Sequence, residues 1–120
     1  MRTWMWFVWT AGAATPAVQG LLAQYGSPGD AARGSAAWTQ EWPGADGPRS
    51  CTTCHGPSLD APGKHATTGE PIDPMTAADR LTDPAKIEKW FGRNCRWTMG
   101  RECTPAEKAD FLTYLSGGSR

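Results

Sequence analysis

The sequence predicts an all-α fold: one small domain of short helices joined by long loops. Capping residues stand ahead of apolar stretches of helical period at Thr15-Pro16, Asp30, Asp83-Pro84 and Thr104-Pro105. Few segments alternate as strands do. Gly 14 and Pro 10 make up a fifth of the 120 residues, so the chain buries only a modest core of its own. Something other than protein has to supply part of the apolar interior.

Taken in order, Thr15 and Pro16 read as N-cap and first residue of a helix, with Val18, Leu21, Leu22 and Tyr25 on one face. Gly26-Ser27-Pro28-Gly29 breaks it. Asp30 caps a second helix from Ala31 to about Gln40. Gly34 there lets another helix approach closely, and Trp38, one turn on, packs beneath it. Residues 41–50 are turn-rich, and residues 56–82 are mostly irregular, with several Pro and Gly. So long a coil inside a small domain needs something to pack on. Asp83-Pro84 starts a third helix through about Arg93, with Ile87, Trp90 and Phe91 apolar. Thr104, Pro105 and Glu107 form a capping box for a fourth, whose inner face is Ala109, Phe111, Leu112 and Leu115 before Gly117-Gly118.

Between the second and third helices stands Cys51-Thr52-Thr53-Cys54-His55. Cys-x-x-Cys-His is the attachment signature of a c-type haem. Each thiol can add across one vinyl group, and the adjacent imidazole reaches the iron from below as proximal ligand. A thioredoxin-like redox pair wants a βαβ context, and a zinc site wants a second Cys/His pair at similar spacing. Neither context is visible. Cys51, Cys54 and His55 are therefore the cofactor-binding residues, and haem c, one and covalent, is the cofactor. The fold expected is a small class I-like cytochrome c fold, with short helices and loops wrapped around that haem.

Formal net charge is zero, from 12 basic and 12 acidic residues, so no global field points to nucleic acid or an acidic membrane surface. Residues 1–14 read as an export signal: Arg2, the apolar run Trp4 to Trp9, then small residues to Ala14. The stretch is too short for a membrane span, which needs ~20 residues. It is also shorter and richer in Trp than a usual signal. Residues 15–120 then form one monohaem domain. Haem c attachment fits an oxidising compartment, so the expected location is the periplasm.

The far side of the iron decides the function: a strong ligand gives an electron carrier, a weak or absent one leaves room for small molecules. Met99, just before the last helix, is the default by position. Met75 is a second thioether. His65 would give a bis-histidine haem, although a solvated surface histidine is the simpler reading of Gly63-Lys64-His65. Asn94 ranks last on spacing alone, and reads also as a helix C-cap. Once Cys51 and Cys54 hold haem, Cys95 and Cys103 remain. In an exported chain they close a short loop by a disulfide rather than stay as buried thiols. The closure stabilises by about 2–3 kcal/mol and braces the segment near the distal face.

Several runs carry a resemblance: Cys51 to Gly56, Thr68-Gly69-Glu70, Leu81-Thr82-Asp83, and above all Glu88-Lys89-Trp90-Phe91-Gly92-Arg93-Asn94-Cys95. Gly100-Arg101-Glu102-Cys103-Thr104-Pro105, then Glu107-Lys108 and Asp110, continue it. Across Asp30 to Leu115 the chain resembles the sphaeroides haem protein (SHP) family of monohaem c-type cytochromes. The resemblance implies His55 as proximal ligand and Asn94 as a weak distal ligand beside a Cys95–Cys103 disulfide. It implies that Asn94 leaves the iron on reduction, opening the site to oxygen or nitric oxide. It also implies a dihaem cytochrome c and a membrane cytochrome b as electron donors. The chain departs from the family in a shorter Pro74 to Arg80 loop and in having Met99 where members have a non-ligating apolar residue.

An independent physical reading points the same way. A neutral oxygen-donating amide binds hard ferric iron better than softer ferrous iron. Released, it can donate a hydrogen bond to a diatomic. Three functions follow as expectations: redox-gated binding of a small ligand coupled to electron transfer, as in a small oxidoreductase acting on a haem-bound oxidant; a soluble His55–Met99 electron carrier; and a haem peroxidase. The last wants a charge-stabilising Arg93 or Arg101 and a distal histidine, which is not evident.

Overall fold

The computed structural model describes residues 14–76 and 80–117; the expected export signal lies outside them but for Ala14. Five helices and one minimal hairpin follow in the order α1 (Pro16–Tyr25), α2 (Ala31–Thr39), α3 (Thr52–His55), β1 (Gly63–Lys64), β2 (Pro71–Ile72), α4 (Pro84–Met99) and α5 (Pro105–Leu115).

The caps work as the sequence implies. The Thr15 side chain accepts from the Val18 N–H, Asp30 from Arg33 and Asp83 from Ala85 and Lys86. Thr104 and Glu107 close a reciprocal capping box on α5. Each satisfies backbone donors that the first turn leaves without partners.

Helix α4 runs longer than expected. It continues past Arg93 to Met99 and stops only at Gly100, whose φ of 76° turns the chain out of the helix. Gly92 does not interrupt it, and the extra turns bury Cys95, Thr98 and Met99. Asn94 is therefore a mid-helix residue and not a C-cap. The long irregular segment also contains a short antiparallel pair, Gly63 with Ile72 and Lys64 with Pro71.

Helices α2 and α5 pack closely because Gly34 has no side chain. A Cβ there would meet the Asp110 carbonyl oxygen at 2.1 Å. Half a turn away in the same contact, the Asp110 carboxylate accepts from the Asp30 N–H at 2.8 Å and from Arg33 Nε at 3.1 Å. Trp38 is buried one turn beyond Gly34, edge-on to Phe111 with ring centroids 6.3 Å apart. Val18 and Leu112 are fully enclosed where α1 meets this pair; burying side chains of this size contributes about 1.5–3 kcal/mol each. Glu88 joins three helices, accepting from the Tyr25 hydroxyl on α1 and from Lys108 Nζ on α5.

Candidate haem site

The Cys-x-x-Cys-His run folds as a single helical turn. Cys51 is already in helical conformation (φ −60°, ψ −34°), and its carbonyl accepts from the His55 N–H at 3.1 Å. Ser50 reinforces the turn, its carbonyl accepting from the Thr53 N–H and its own N–H donating to Thr53 Oγ1. Residues three and four apart share a helix face. Cys51, Cys54 and His55 therefore project together, which is what two thioether bonds and an axial imidazole require.

The His55 ring lies 5.2 Å from the Trp38 ring at 35°. Behind the turn, Gly63 of β1 leaves no room for a side chain: a Cβ would come within 2.3 Å of the Cys54 carbonyl oxygen and 2.8 Å of His55 Cα. The hairpin thus clamps the turn from the rear. Burial, helped by the Arg80 guanidinium, lowers the His55 pKa from 6.5 to about 4, so the imidazole is neutral near pH 7 as metal ligation requires. Burial pushes the Cys51 thiol up to about 12. A redox-active Cys-x-x-Cys has a depressed thiol pKa, so the electrostatics argue against a thioredoxin-like role. Among the described residues no group of three or more His, Cys, Asp or Glu is placed to hold a metal ion.

In front of the turn opens a cavity of about 350 Å³. Helix α4 supplies one wall through Ile87, Trp90, Phe91, Asn94 and Thr98, spaced at three and four residues. Phe111, Leu112 and Leu115 of α5 close the base. Every sixth-ligand candidate touches this cavity: Asn94, Met99, Met75 and His65. His65 is half-buried, with its Nδ1 accepting from the Thr67 and Thr68 N–H groups at 3.1 Å each in an exposed turn. Arg93 also lines the cavity. Arg101 is held by Glu107, at 2.7 and 2.9 Å.

Asn94 and Met99 differ in setting. Asn94 is exposed along the cavity wall, and the next residue, Cys95, is joined to Cys103 with Cα atoms 5.6 Å apart. Met99 is 5% exposed, with Sδ 3.6 Å from Cys103 Sγ. Leu81, on the opposite wall, has φ of 59°, alone among the described non-glycine residues. Such a conformation is costly for a bulky side chain. The Thr15 hydroxyl donates to its carbonyl and holds it there.

These features fit haem c. The thiols, the neutral imidazole, the apolar walls and the side-chain-free contact behind the turn are what a flat macrocycle linked at one edge demands. Cys51 and Cys54 would carry the thioethers and His55 would bind the iron. Sequence reasoning met Leu81 only as part of the run that carries the resemblance, and passed over Arg49, which stacks on Trp97 of the cavity wall. A lone arginine in a turn-rich stretch gives no periodic signal, and a positive φ outside glycine gives none either.

Residues 24–115 match a family described as a domain of unknown function (DUF1924). The chain is 46% identical over 112 residues to the cytochrome c-type protein SHP of Cereibacter sphaeroides, covering 88% of this chain and 86% of that protein. Over 69 residues it is 36% identical to cytochrome c'' of Methylophilus methylotrophus, 55% of this chain and 48% of that protein. The structure of oxidised SHP, an oxygen-binding cytochrome c, superposes with a TM-score of 0.73 at 45% identity, covering 82% of this chain and 91% of that one. The solution structure of cytochrome c'', which addresses the structural basis of haem-ligand detachment, gives 0.70 at 26% identity, covering 82% and 91%. With its attachment turn beneath an apolar cavity and a relative matched along most of both lengths, the chain belongs to the SHP family of c-type cytochromes, all-α proteins that carry covalent haem c.

Proposed function

We propose that this cytochrome binds a small diatomic ligand under redox control, with haem attached at Cys51 and Cys54, His55 as the proximal ligand and Asn94 as a weak distal ligand. The observation that carries the reading is the unbroken course of α4 through Asn94, with the neighbouring Cys95 tied to Cys103. That places a short amide on the cavity wall and braces it. When bound, haem supplies a one-electron iron centre and an axial position. The Asn94 carboxamide oxygen would be a weak ligand to the ferric iron and would leave it on reduction, because a hard neutral oxygen donor prefers the harder ion. Its NH2 group then faces an incoming oxygen or nitric oxide as a hydrogen-bond donor. The relatives support the reading: SHP is described as oxygen binding, and cytochrome c'' as a case of haem-ligand detachment. The same proposal sets the protein in the periplasm, with a dihaem cytochrome c and a membrane cytochrome b as donors.

The test is spectroscopic. The ferric protein should lack the far-red charge-transfer band of methionine-ligated haem. The ferrous protein should be high-spin and take up carbon monoxide quickly. A ferric methionine band with a low-spin ferrous state would instead establish the His55–Met99 carrier, a reading that Met99's place on the cavity wall keeps specific.

A further inference from the structure

Arg49 is half-buried, and one nitrogen of its guanidinium has no counterpart. Its Nη1 is shut off from solvent and has no hydrogen-bond partner, and among the described residues no carboxylate lies within ion-pair distance of it. A buried N–H group left without an acceptor is costly unless something beyond the protein part satisfies it. The side chain is nevertheless held firmly. Its Cζ lies 3.6 Å from the centre of the Trp97 ring, a cation–π contact at close range. Its backbone pairs with Trp42 in both directions, at 2.7 and 2.9 Å. The loop between them is tied to α4 by the Ala45 N–H donating to the Trp97 carbonyl at 3.2 Å.

Trp97 is part of the cavity wall, as is Ser50, the residue after Arg49. The His65 ring sits against the same indole, centroids 6.1 Å apart, and also lines the cavity. His65 Nδ1 accepts two backbone N–H groups, which leaves Nε2 as the ring nitrogen that can donate. Two donors, one permanently charged, therefore flank Trp97: His65 within the cavity lining and Arg49 just behind it, next to Ser50 of the wall. A haem linked at its vinyl edge brings one kind of charged group to such a cavity: its propionate carboxylates.

We infer that Arg49 and His65, set on either contact of Trp97, grip the haem propionates, and that Arg49 raises the reduction potential by holding a positive charge beside the carboxylate. Arg49 offers a charge-assisted, geometrically fixed bond of the kind guanidinium makes with carboxylate. His65 adds a neutral donor. Removing the arginine charge destabilises the electron-gaining form most, so the potential falls. The inference rests on haem attachment at Cys51 and Cys54 but is independent of whether Asn94 or Met99 is the sixth ligand.

The experiment uses haem-loaded protein with the propionate carboxyl carbons isotopically labelled. Redox-difference infrared spectra and potentiometric titration are recorded for wild type, Arg49→Lys, Arg49→Gln and His65→Gln. Arg49→Gln should shift the labelled carboxylate bands and cut the equilibrium constant for reduction about tenfold, ~59 mV for one electron. Arg49→Lys should retain part of the potential but shift the bands, and His65→Gln should give the smaller change of the two Gln variants. Unchanged bands and potential in Arg49→Gln overturn the inference alone. If Arg49→Gln fails to mature, unshifted bands in Arg49→Lys overturn it equally. Wild-type protein whose haem is not covalent by intact mass overturns the attachment reading and this inference with it.

Discussion

Met99 Sδ lies 3.6 Å from Cys103 Sγ, at the C-terminal end of α4 and against the disulfide that follows it. Cys103 has no thiol proton to donate, so this is a packing contact between two polarisable atoms. Methionine is suited to filling such irregular space. Asn94, just over one turn earlier, carries no such burden and is exposed on the cavity wall. Both candidates for one coordination position line the cavity, but their surroundings differ: Met99 is buried against the disulfide and Asn94 is exposed.

Substitution separates them. Asn94→Ala should shift the ferric spectrum toward high spin and leave the ferrous spectrum nearly unchanged. Met99→Leu should alter neither and should cost less than ~1.5 kcal/mol, as volume-conserving core swaps do. The pair is read by optical and electron paramagnetic resonance spectra with a denaturant titration. If Met99→Leu alone converts a low-spin reduced haem to high spin, the assignment to Asn94 is wrong.

Two glycines give a second contrast. At Gly63 a Cβ would strike the Cys54 carbonyl and His55 Cα, so Gly63→Ala should disturb the attachment turn itself. At Gly34 it would strike the Asp110 carbonyl in the α2–α5 contact. Both should destabilise by about 1–3 kcal/mol, the usual cost of overpacking. Only Gly63→Ala should also lower the fraction of folded protein that carries haem. Intact-mass analysis beside thermal unfolding measures both, and equal haem loading in the two variants would count against a clamping role for β1.

Much of this was legible in the sequence, for identifiable reasons. Caps at Thr15, Asp30, Asp83 and Thr104 are local chemistry, and a local rule reads them. That Gly34 admits a close helix was readable because a glycine inside a helix has few other uses; that the helix is α5 was not. The course of α4 from Arg93 to Met99 was not readable, since Asn94, Cys95 and Thr98 are weak helix formers and only the core they meet keeps them helical. His65 looked solvated because nothing local reveals that a loop folds back over a cavity. Arg49 meets Trp97 across 48 residues of sequence, and no periodic pattern spans that distance.

The start of α5 sets a pH dependence. Arg101, through its hydrogen bond, and then the Thr104 backbone N–H hold the Glu107 carboxyl down from 4.5 to about 2 against the opposing effect of burial. A carboxyl with a depressed folded pKa contributes stability that is fully present above its unfolded value. That contribution is lost as pH falls from about 4.5 toward about 2. Glu107→Gln should therefore be less stable than wild type near neutral pH and should show a flatter acid limb. Unfolding midpoints followed across that range test it; parallel limbs in the two proteins would mean that the Glu107 charge contributes nothing measurable.

The disulfide is where fold and function meet. Cys95 precedes α4's last turn and Cys103 precedes the Thr104 cap, so the bond closes a short loop with a sequence separation of 8. In the chain-entropy picture a loop of that size contributes about 2–3 kcal/mol. Non-reducing peptide mapping of haem-loaded protein should find the linked pair. Replacing both cysteines by alanine should lower stability by that amount while leaving haem attached, since Cys51 and Cys54 lie on a separate turn. It should also loosen the last turns of α4, so the ferric protein should show more high-spin character than wild type, in the same direction as Asn94→Ala but to a smaller extent. A double variant with the wild-type ferric spectrum would separate the disulfide from ligand placement and leave it a purely structural staple. Two alkylatable thiols in the folded, unreduced protein would remove the brace altogether, and the case for Asn94 would then rest on its position along α4 and on the relatives alone.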